Sequence, residues 1–319
     1  MKIYGLTLIF KKMTRKASYQ SYYLWTYSPT CIFLLHPKIL TIVYFILAEH
    51  LKSAELLHGP KGCRIPDLPE AVYYHVLLLT SNSDNILSCG GYSSNKNCYN
   101  LDIAGQRWNQ HSTLTKERSY STAVTMLNGV YIFGGTKSPT TSDFLPKNNN
   151  GVWQAGPIIP NGFKNGCGLK ISPEELLLIG GEGTEDRIMS FNTRTNLFLT
   201  LGSLQQGRYH HSCVLLNNSI LVVGGYFRGY LSSTELIPMA NGTPRYGGNL
   251  NTARRYFGLA TIGGHYKKAI SFGGEGSRYL NSVEEWDEDT EQWKLAPYSL
   301  EEGKRSFASL AVPPQMVCL

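Results

Sequence analysis

No apolar run in this sequence reaches the length of a bilayer. The cleanest, Ile39–Ala48, has ten residues, about half of the ~20 a spanning helix needs. Several enzyme signatures are also missing. No P-loop, dinucleotide-binding glycine pattern or Ser-His-Asp arrangement stands out, and no CxxC or His/Cys spacing suggests zinc. Helix signals are poor, while Gly, Tyr and Asn are plentiful. That mix suits many short strands joined by turns. Acidic residues are absent from positions 1 to 48, which hold Lys2, Lys11, Lys12, Arg15, Lys16 and Lys38. Taking these six from the 30 basic residues leaves 24 against 23 acids, so the net charge of +7 belongs to the front of the chain. The body carries no basic footprint, which excludes nucleic acid as the expected partner.

The front of the chain, residues 1–60, reads as a poorly ordered leader. An apolar stretch from Cys31 to Ala48 is broken by His36-Pro37-Lys38, and its ten-residue core fits a signal peptide. Ala48 or Ala54 offers a cleavage point, and Met13 an alternative start. Three readings stay open: a secretory signal, a signal anchor, or a mitochondrial-type or artificial extension. In the first two, the basic front stays in the cytoplasm and the body is exported, so any membrane contact is through this anchor. Cysteine usage agrees with export. Without Cys31 there are six cysteines: Cys63, Cys89, Cys98, Cys167, Cys213 and Cys318. Cys89 ends one strand and Cys98 opens the next, so antiparallel pairing would bring them together. Cys63 and Cys318 bracket the rest of the chain and would tie its ends. The alternative is that all six are reduced, buried small hydrophobes. Two N-x-S/T sequons, at Asn217 and Asn241, are compatible with export.

From residue 61 to 319 the chain repeats itself. Apolar runs end in glycine pairs at Gly90-Gly91, Gly134-Gly135, Gly180-Gly181, Gly224-Gly225 and Gly273-Gly274, stepped by 44, 46, 44 and 49 residues. A period of that size marks a repeat architecture. Each unit has a basic residue, a first strand, a turn, a second strand ending in Gly-Gly, a third strand with an aromatic or apolar residue, and a fourth strand with a large aromatic. The units run about 68–114, 115–160, 161–205, 206–251 and 252–297, with a further first-strand pattern at 305–312. The large aromatics are Trp108, Trp153, Phe198, Trp286 and Trp293, and a loosened position falls at Tyr246. Asn128-Gly129 between two apolar runs is a strong hairpin signal. Four-stranded antiparallel units of this kind are blades of a β-propeller. The glycines are expected to leave a slot for the fourth-strand Trp, since glycine inside a strand serves close approach.

The Gly-Gly, aromatic-Asp and Trp spacing resembles the kelch repeat over about 68–312. The resemblance implies an all-β propeller, usually of six blades, closed by strands from the two chain ends. Five full four-stranded blades are expected here. The strand at 305–312 packs at the seam or begins a partial sixth blade, and the leader does not look like its partner strands.

In such a propeller the loops after each Gly-Gly and those before each first strand share one face. Tyr73, Tyr120, His210, Tyr256 and Phe307 then line one mouth of the channel, near Arg118, Arg208, Arg228, Arg254 and Arg278, and this is the expected binding face. Lys164, Arg305, Arg255, Arg187, Glu182, Glu185, Asp186 and Glu275 lie nearby. Aromatic and Arg side chains at a concave mouth suit partner binding. A structural role competes for Arg118, Arg208, Arg254 and Arg305, which can bond carbonyls of the next blade. A copper-radical oxidase is disfavoured, because successive residues such as His210-His211 point to opposite sides of a strand. The expected function is non-enzymatic binding of a protein or glycan, with no metal or cofactor. One alternative is an intracellular substrate-recognition subunit of a cullin-type ubiquitin ligase. That role usually comes with BTB and BACK domains, which the first 60 residues are too short to supply. The other is a mutarotase-like sugar enzyme.

Overall fold

The computed structural model describes residues 43–47, 54–57, 65–81, 85–92, 96–148, 151–239, 242–262, 268–305 and 308–312. All regular elements among them are strands. Five antiparallel sheets each hold four strands in simple sequence order. Blade 1 comprises Val76–Leu79, Ile86–Cys89, Asn97–Asp102 and Arg107–Thr113, and blade 2 comprises Thr122–Met126, Gly129–Phe133, Ser142–Pro146 and Gln154–Ala155. Blade 3 comprises Cys167–Lys170, Glu175–Ile179, Arg187–Asn192 and Leu197–Ser203, and blade 4 comprises Ser212–Leu215, Ser219–Val223, Thr234–Pro238 and Arg245–Tyr246. Blade 5 comprises Gly258–Ile262, Lys268–Phe272, Ser282–Asp287 and Gln292–Ser299. The five full blades expected from the repeat are present.

A sixth sheet has three strands, in the order Ala54–Leu57, Val43–Leu47, Ala308–Val312. Tyr44 pairs with Ala311 and Phe45 with Leu310. The first strands of neighbouring blades lie side by side, and Ala308–Val312 lies between those of blades 5 and 1, so the inner ring has six members. This corrects one expectation. Part of the apolar run assigned to the leader is a strand of the closing sheet, and the described sheets start at Val43 rather than after residue 60. Any strand with free N–H and C=O groups can extend an edge, so this partner needed no glycine pair to mark it. Residues 1–42 lie outside the described set, as do Phe307, Cys63 and Cys318.

Second strands are buried along their whole length, as in Gly129–Phe133 and Ser219–Val223. Each is covered by a neighbouring blade on both faces, which explains continuous apolar runs in place of alternation. Separate apolar clusters fill the wedges. One joins Val124, Tyr131 and Phe133 of blade 2 to Leu176, Leu178 and Met189 of blade 3.

The glycine pairs work differently from the expectation. The first N–H of each pair closes the hairpin to its own third strand. The second donates across the wedge: Gly91 to the Arg118 carbonyl (2.8 Å), Gly135 to Phe163 (2.9 Å), Gly181 to Arg208 (3.0 Å), Gly225 to Arg254 (2.8 Å) and Gly274 to Lys304 (2.7 Å). At Gly224-Gly225 both residues have positive φ, 59° and 101°. A Cβ on Gly224 would lie 2.8 Å from the Arg254 carbonyl oxygen. The slot therefore admits the backbone of the next blade, not a Trp. The indoles bridge blades elsewhere: Trp153 donates to Ser112 Oγ (3.1 Å) and Trp293 to Thr234 Oγ1 (3.0 Å). Trp108, Trp153, Trp286 and Trp293 are buried and Phe198 is half-buried, whereas Tyr246 is exposed.

Cys89 and Cys98 are cross-strand neighbours with their sulfurs at bonding distance. A second pair, Cys167 with Cys213, joins the first strands of blades 3 and 4, Cα atoms 5.9 Å apart. Its separation of 46 residues is one repeat step, the sequence signal that could have found it.

Two glycines separate backbone strain from the close approach. Gly183 has φ +85° and open space around its Cβ direction, whereas a Cβ on Gly225 would meet Tyr209 O and His211 Cβ, both at 2.8 Å. Gly183→Ala is expected to cost about 1 kcal/mol and Gly225→Ala about 3 kcal/mol or more, by chemical denaturation. Equal losses would mean that the seam has room for a side chain.

Candidate functional site

A three-residue lead-in precedes each first strand: Val72-Tyr73-Tyr74, Arg118-Ser119-Tyr120, Phe163-Lys164-Asn165, Arg208-Tyr209-His210 and Arg254-Arg255-Tyr256. In the last four, the first carbonyl takes the glycine N–H of the preceding blade. The second takes an N–H from its own blade, as in Tyr226 to Tyr209 (2.8 Å) and Thr136 to Ser119 (2.9 Å). The third takes the N–H of the corresponding residue one blade on: Tyr120 to Tyr74, Asn165 to Tyr120, His210 to Asn165 and Tyr256 to His210, at 2.7–3.1 Å. These bonds form a belt around the channel mouth. They require positive φ at Tyr74, Tyr120, Asn165, His210 and Tyr256, which lie between 53° and 60°. Such values are uncommon for non-glycine residues, and their recurrence at five positions, three of them tyrosine, shows how strongly the surroundings determine the geometry.

The belt side chains converge on the axis. Tyr74 stacks on Tyr120 at 3.8 Å, Tyr256 lies 4.0 Å from the His210 ring, and Tyr120 lies 6.4 Å from Tyr256. The Tyr256 hydroxyl and His210 Nε2 are 2.8 Å apart. These residues, with Ser121, Gly166, His211, Ser212 and Phe257, line a cavity of about 160 Å³. Blade 1 contributes Tyr74 to the belt, which corrects the choice of Tyr73. Tyr73 points outward and stacks on exposed Tyr92 at 5.1 Å. Asn165 is a member the sequence reading missed.

The recurring arginines do not face the opening. Arg118, Arg208 and Arg254 are at most 1 % exposed. Arg208 bonds the Gly224 carbonyl (2.8 Å), the Ser233 carbonyl (3.0 Å) and Glu235 Oε1 (2.7 Å). Arg254 does the same with Gly273, Ser282 and Glu284, and Arg118 with Gly134, Thr141 and Asp143. Each acid also caps the backbone N–H groups upstream of its arginine, as Glu235 does for Gln205 and Gln206. Their assignment to a binding face is corrected: the guanidinium is spent on its own blade's carbonyls, not on those of the next. Removing one partner of such a buried pair costs about 3–5 kcal/mol.

What remains on the face lies outside the belt. The Arg255 guanidinium sits 5.0–5.1 Å from the rings of Tyr226, Tyr230 and Tyr256 and 3.0 Å from Glu275 Oε1. Glu275 also accepts from Arg305 (2.6 Å) and the Tyr230 hydroxyl (2.9 Å), and Arg305 lies over the Tyr279 ring at 4.6 Å. Burial pushes the Glu275 carboxyl up, but the bonds from Arg305, Arg255 and Tyr230 outweigh it and hold it below the ordinary carboxylate range. Arg228 and Arg278 are exposed in the loops after the glycine pairs of blades 4 and 5. Across the face, Lys164 pairs with Glu182 and Lys137 with Glu117. One sector is rich in Tyr and Arg, and the opposite one is charge-balanced.

No family model matches the chain. It is similar to Kelch-like protein 24 of Homo sapiens, 26% identical over 147 residues, 43% of this chain and 24% of that protein. It is also similar to Kelch-like protein 23 of Mus musculus, 24% identical over 251 residues, 74% of this chain and 43% of that protein. Kelch-like protein 38 of Danio rerio is 26% identical over 111 residues, 34% of this chain and 18% of that protein. The chain spans less than half the length of these relatives.

Three histidines near the belt are held neutral. Burial lowers His75 to about 4, burial and then the Arg255 charge lower His210 to about 3, and burial and then Arg208 hold His211 well below 6.5. The unfolded chain takes up these protons below pH 6.5 and the native state does not, so stability falls as pH drops from 6.5 toward 4. With three protons the slope reaches about 4 kcal/mol per pH unit. His211→Phe, which copies Phe257 at the same place in blade 5, is expected to lower that slope by about a third in denaturation curves taken across this range. An unchanged slope would show that His211 is charged in the native state.

Proposed function

We infer that this chain, a kelch-repeat β-propeller, is a non-enzymatic module that binds a protein partner through the Tyr/Arg sector of its loop face. The observation that carries the reading is the division of labour among arginines. Arg118, Arg208 and Arg254 are buried in the framework, while Arg228 and Arg278 are exposed beside Tyr226, Tyr230 and Tyr279. Tyr and Arg supply large contact area and most hot-spot energy at interfaces. The Glu275 carboxylate ties Arg255, Arg305 and Tyr230 together, so the sector is organised before a partner arrives, which lowers the entropy lost on binding.

The partner surface suited to this sector is acidic or carbonyl-rich, protein rather than glycan. A second reading, the substrate-recognition subunit of a cullin-type ubiquitin ligase, uses the same sector. It is favoured by the relatives, which extend well beyond the shared region. Export is supported by the two cysteine pairs at bonding distance. Removal of the front at Ala48 or Ala54 would take Val43–Leu47 from the closing sheet, so export with the apolar run retained fits the propeller better.

Two experiments test these readings. Proteins captured on the full chain from its native tissue are quantified for the wild type, for the double variant Arg228→Glu/Arg278→Glu, and for Lys137→Glu from the balanced sector. The double variant should lose at least ~10-fold in specific capture at unchanged melting temperature. Equal capture by all three would sink the sector. Glycosidase treatment of the captured material should leave binding unchanged, and its loss would make the ligand a glycan. Separately, non-reducing mass spectrometry of protein from native tissue should yield the linked peptides Cys89–Cys98 and Cys167–Cys213. Free thiols at all four would overturn export and favour the ligase subunit.

A further inference from the structure

The outer strand of blade 3 departs from the others. Among the described residues, Leu197–Ser203 is an edge with a single strand neighbour. Its sequence, Leu197-Phe198-Leu199-Thr200-Leu201-Gly202-Ser203, holds no charge and no proline. Phe198 turns inward to the cluster shared with blade 2. Leu197, Leu199 and Leu201 lie on the other side and are 67%, 62% and 53% exposed. The register identifies the matching positions. Phe198 pairs with Phe191 as Trp108 pairs with Leu101 and Trp293 with Trp286. The residues flanking those tryptophans are Arg107 and Asn109 in blade 1, and Gln292 and Lys294 in blade 5. In blade 3 they are leucines. The next blade leaves the stripe open, because its own outer strand, Arg245–Tyr246, is two residues long.

Natural edges are guarded by charge, proline or shortness, since unpaired N–H and C=O groups accept another strand. Blade 1 has Arg107, blade 5 has Lys294 and Pro297, and the outer strands of blades 2 and 4 are two residues each. Blade 3 uses none of these three and has only the bulge at Leu201, a feature it shares with the register shifts of blades 1 and 5. We propose that Leu197–Leu201 is a self-association edge, at which two copies of this chain pair antiparallel about a two-fold axis through Leu199.

The occupant follows from self-complementarity. A two-fold axis normal to the sheet keeps faces matched only when it passes through a residue. Centred on Leu199, it sets Leu197 opposite Leu201 and Phe198 opposite Thr200. All six leucines of the two copies then share one face, and no charge meets a charge. The nearest charged residue, Arg194, lies outside the strand and is bound to Glu174 at 3.0 Å. The shift in register between Ile188 and Met189 leaves Leu201 without a partner in the third strand and ends the regular edge at Thr200, which limits the regular pairing to about four residues a side. An interface of that size belongs to the weak, reversible class, and symmetric pairing of the same patch closes the assembly at a dimer.

Sedimentation velocity of the full chain over a concentration series tests this. The wild type should show a concentration-dependent dimer with a dissociation constant on the order of micromolar to tens of micromolar. Leu199→Lys and Leu197→Lys should each weaken it at least ~10-fold at unchanged melting temperature, since both positions are exposed. Leu295→Lys, an equally exposed leucine on blade 5, should leave it intact. Leu199→Cys should give a dimer cross-linked through residue 199 on mild oxidation, a readout that survives any loss of stability in the lysine variants. A wild type that stays monomeric at ~100 µM, a dimer indifferent to both lysine variants, or one broken equally by Leu295→Lys overturns the proposal. A dimer that Leu199→Cys fails to cross-link overturns the register.

Discussion

Three consecutive carbonyls hold this molecule together. In Arg208-Tyr209-His210 they receive N–H groups from the preceding blade, the same blade and the following blade. Each lead-in is therefore a three-way junction, and it repeats at 118–120, 163–165 and, for its first two carbonyls, at 254–256. The junction forces the last residue into the left-handed region and forces the donor to the first carbonyl to be the second glycine of a pair with positive φ. Backbone groups buried in a wedge cannot be left unpaired without a penalty of about 1–3 kcal/mol each. The repeat therefore carries its invariant chemistry in the main chain, and side chains only have to permit it.

The buried arginine illustrates that tolerance. In blades 2, 4 and 5 an Arg–acid pair ties the lead-in to the second and third strands: Arg118 with Asp143, Arg208 with Glu235, Arg254 with Glu284, every side chain fully buried. In blade 3 the same two positions hold Phe163 and Met189, which share an apolar cluster. In blade 1 they hold Val72 and Tyr99, again within one cluster. A buried ion pair and a well-packed apolar pair can be of similar net worth, because desolvation offsets most of the Coulomb attraction. What neither arrangement permits is half of each.

That exchange explains what the sequence could and could not show. The glycine pairs were legible because no other residue takes both φ values while a backbone oxygen lies within 3 Å of the Cβ direction, so they recur in all five blades. The lead-ins were read from basic residues, and these are exchangeable. Where the arginine is replaced, a neighbouring residue carries a similar signal: Lys164 stands one place after Phe163, Arg305 one place after Lys304, and Tyr73 one place before the belt residue Tyr74. The closing sheet was illegible for another reason. Val43–Leu47 is recognised by its antiparallel pairing with Ala308–Val312, which no residue pattern announces, and its apolar residues fit a signal core equally well. The pairing of Cys167 with Cys213 shows only at the repeat step of 46 residues that places them side by side.

The same separation of roles bears on where recognition resides. Belt residues Tyr74, Tyr120, His210 and Tyr256 are bound to one another by backbone and ring, and their backbone strain is supported by both neighbouring blades. A partner that displaced them would have to break the junctions that define the ring. The loops after the glycine pairs serve the framework through backbone only, by their first N–H and by one later carbonyl that accepts the next lead-in's N–H, as Glu185 does from Arg208 (2.8 Å) and Leu231 from Arg254 (3.2 Å), so their side chains can vary at little cost to the fold. Arg228 and Arg278 sit on those loops, and Glu275 joins the lead-in of blade 5 to Arg305 beside the closing sheet. Sequence variation that changes the partner should therefore concentrate after Gly225 and Gly274, while the residues that look most like a binding ring in the repeat stay with the framework.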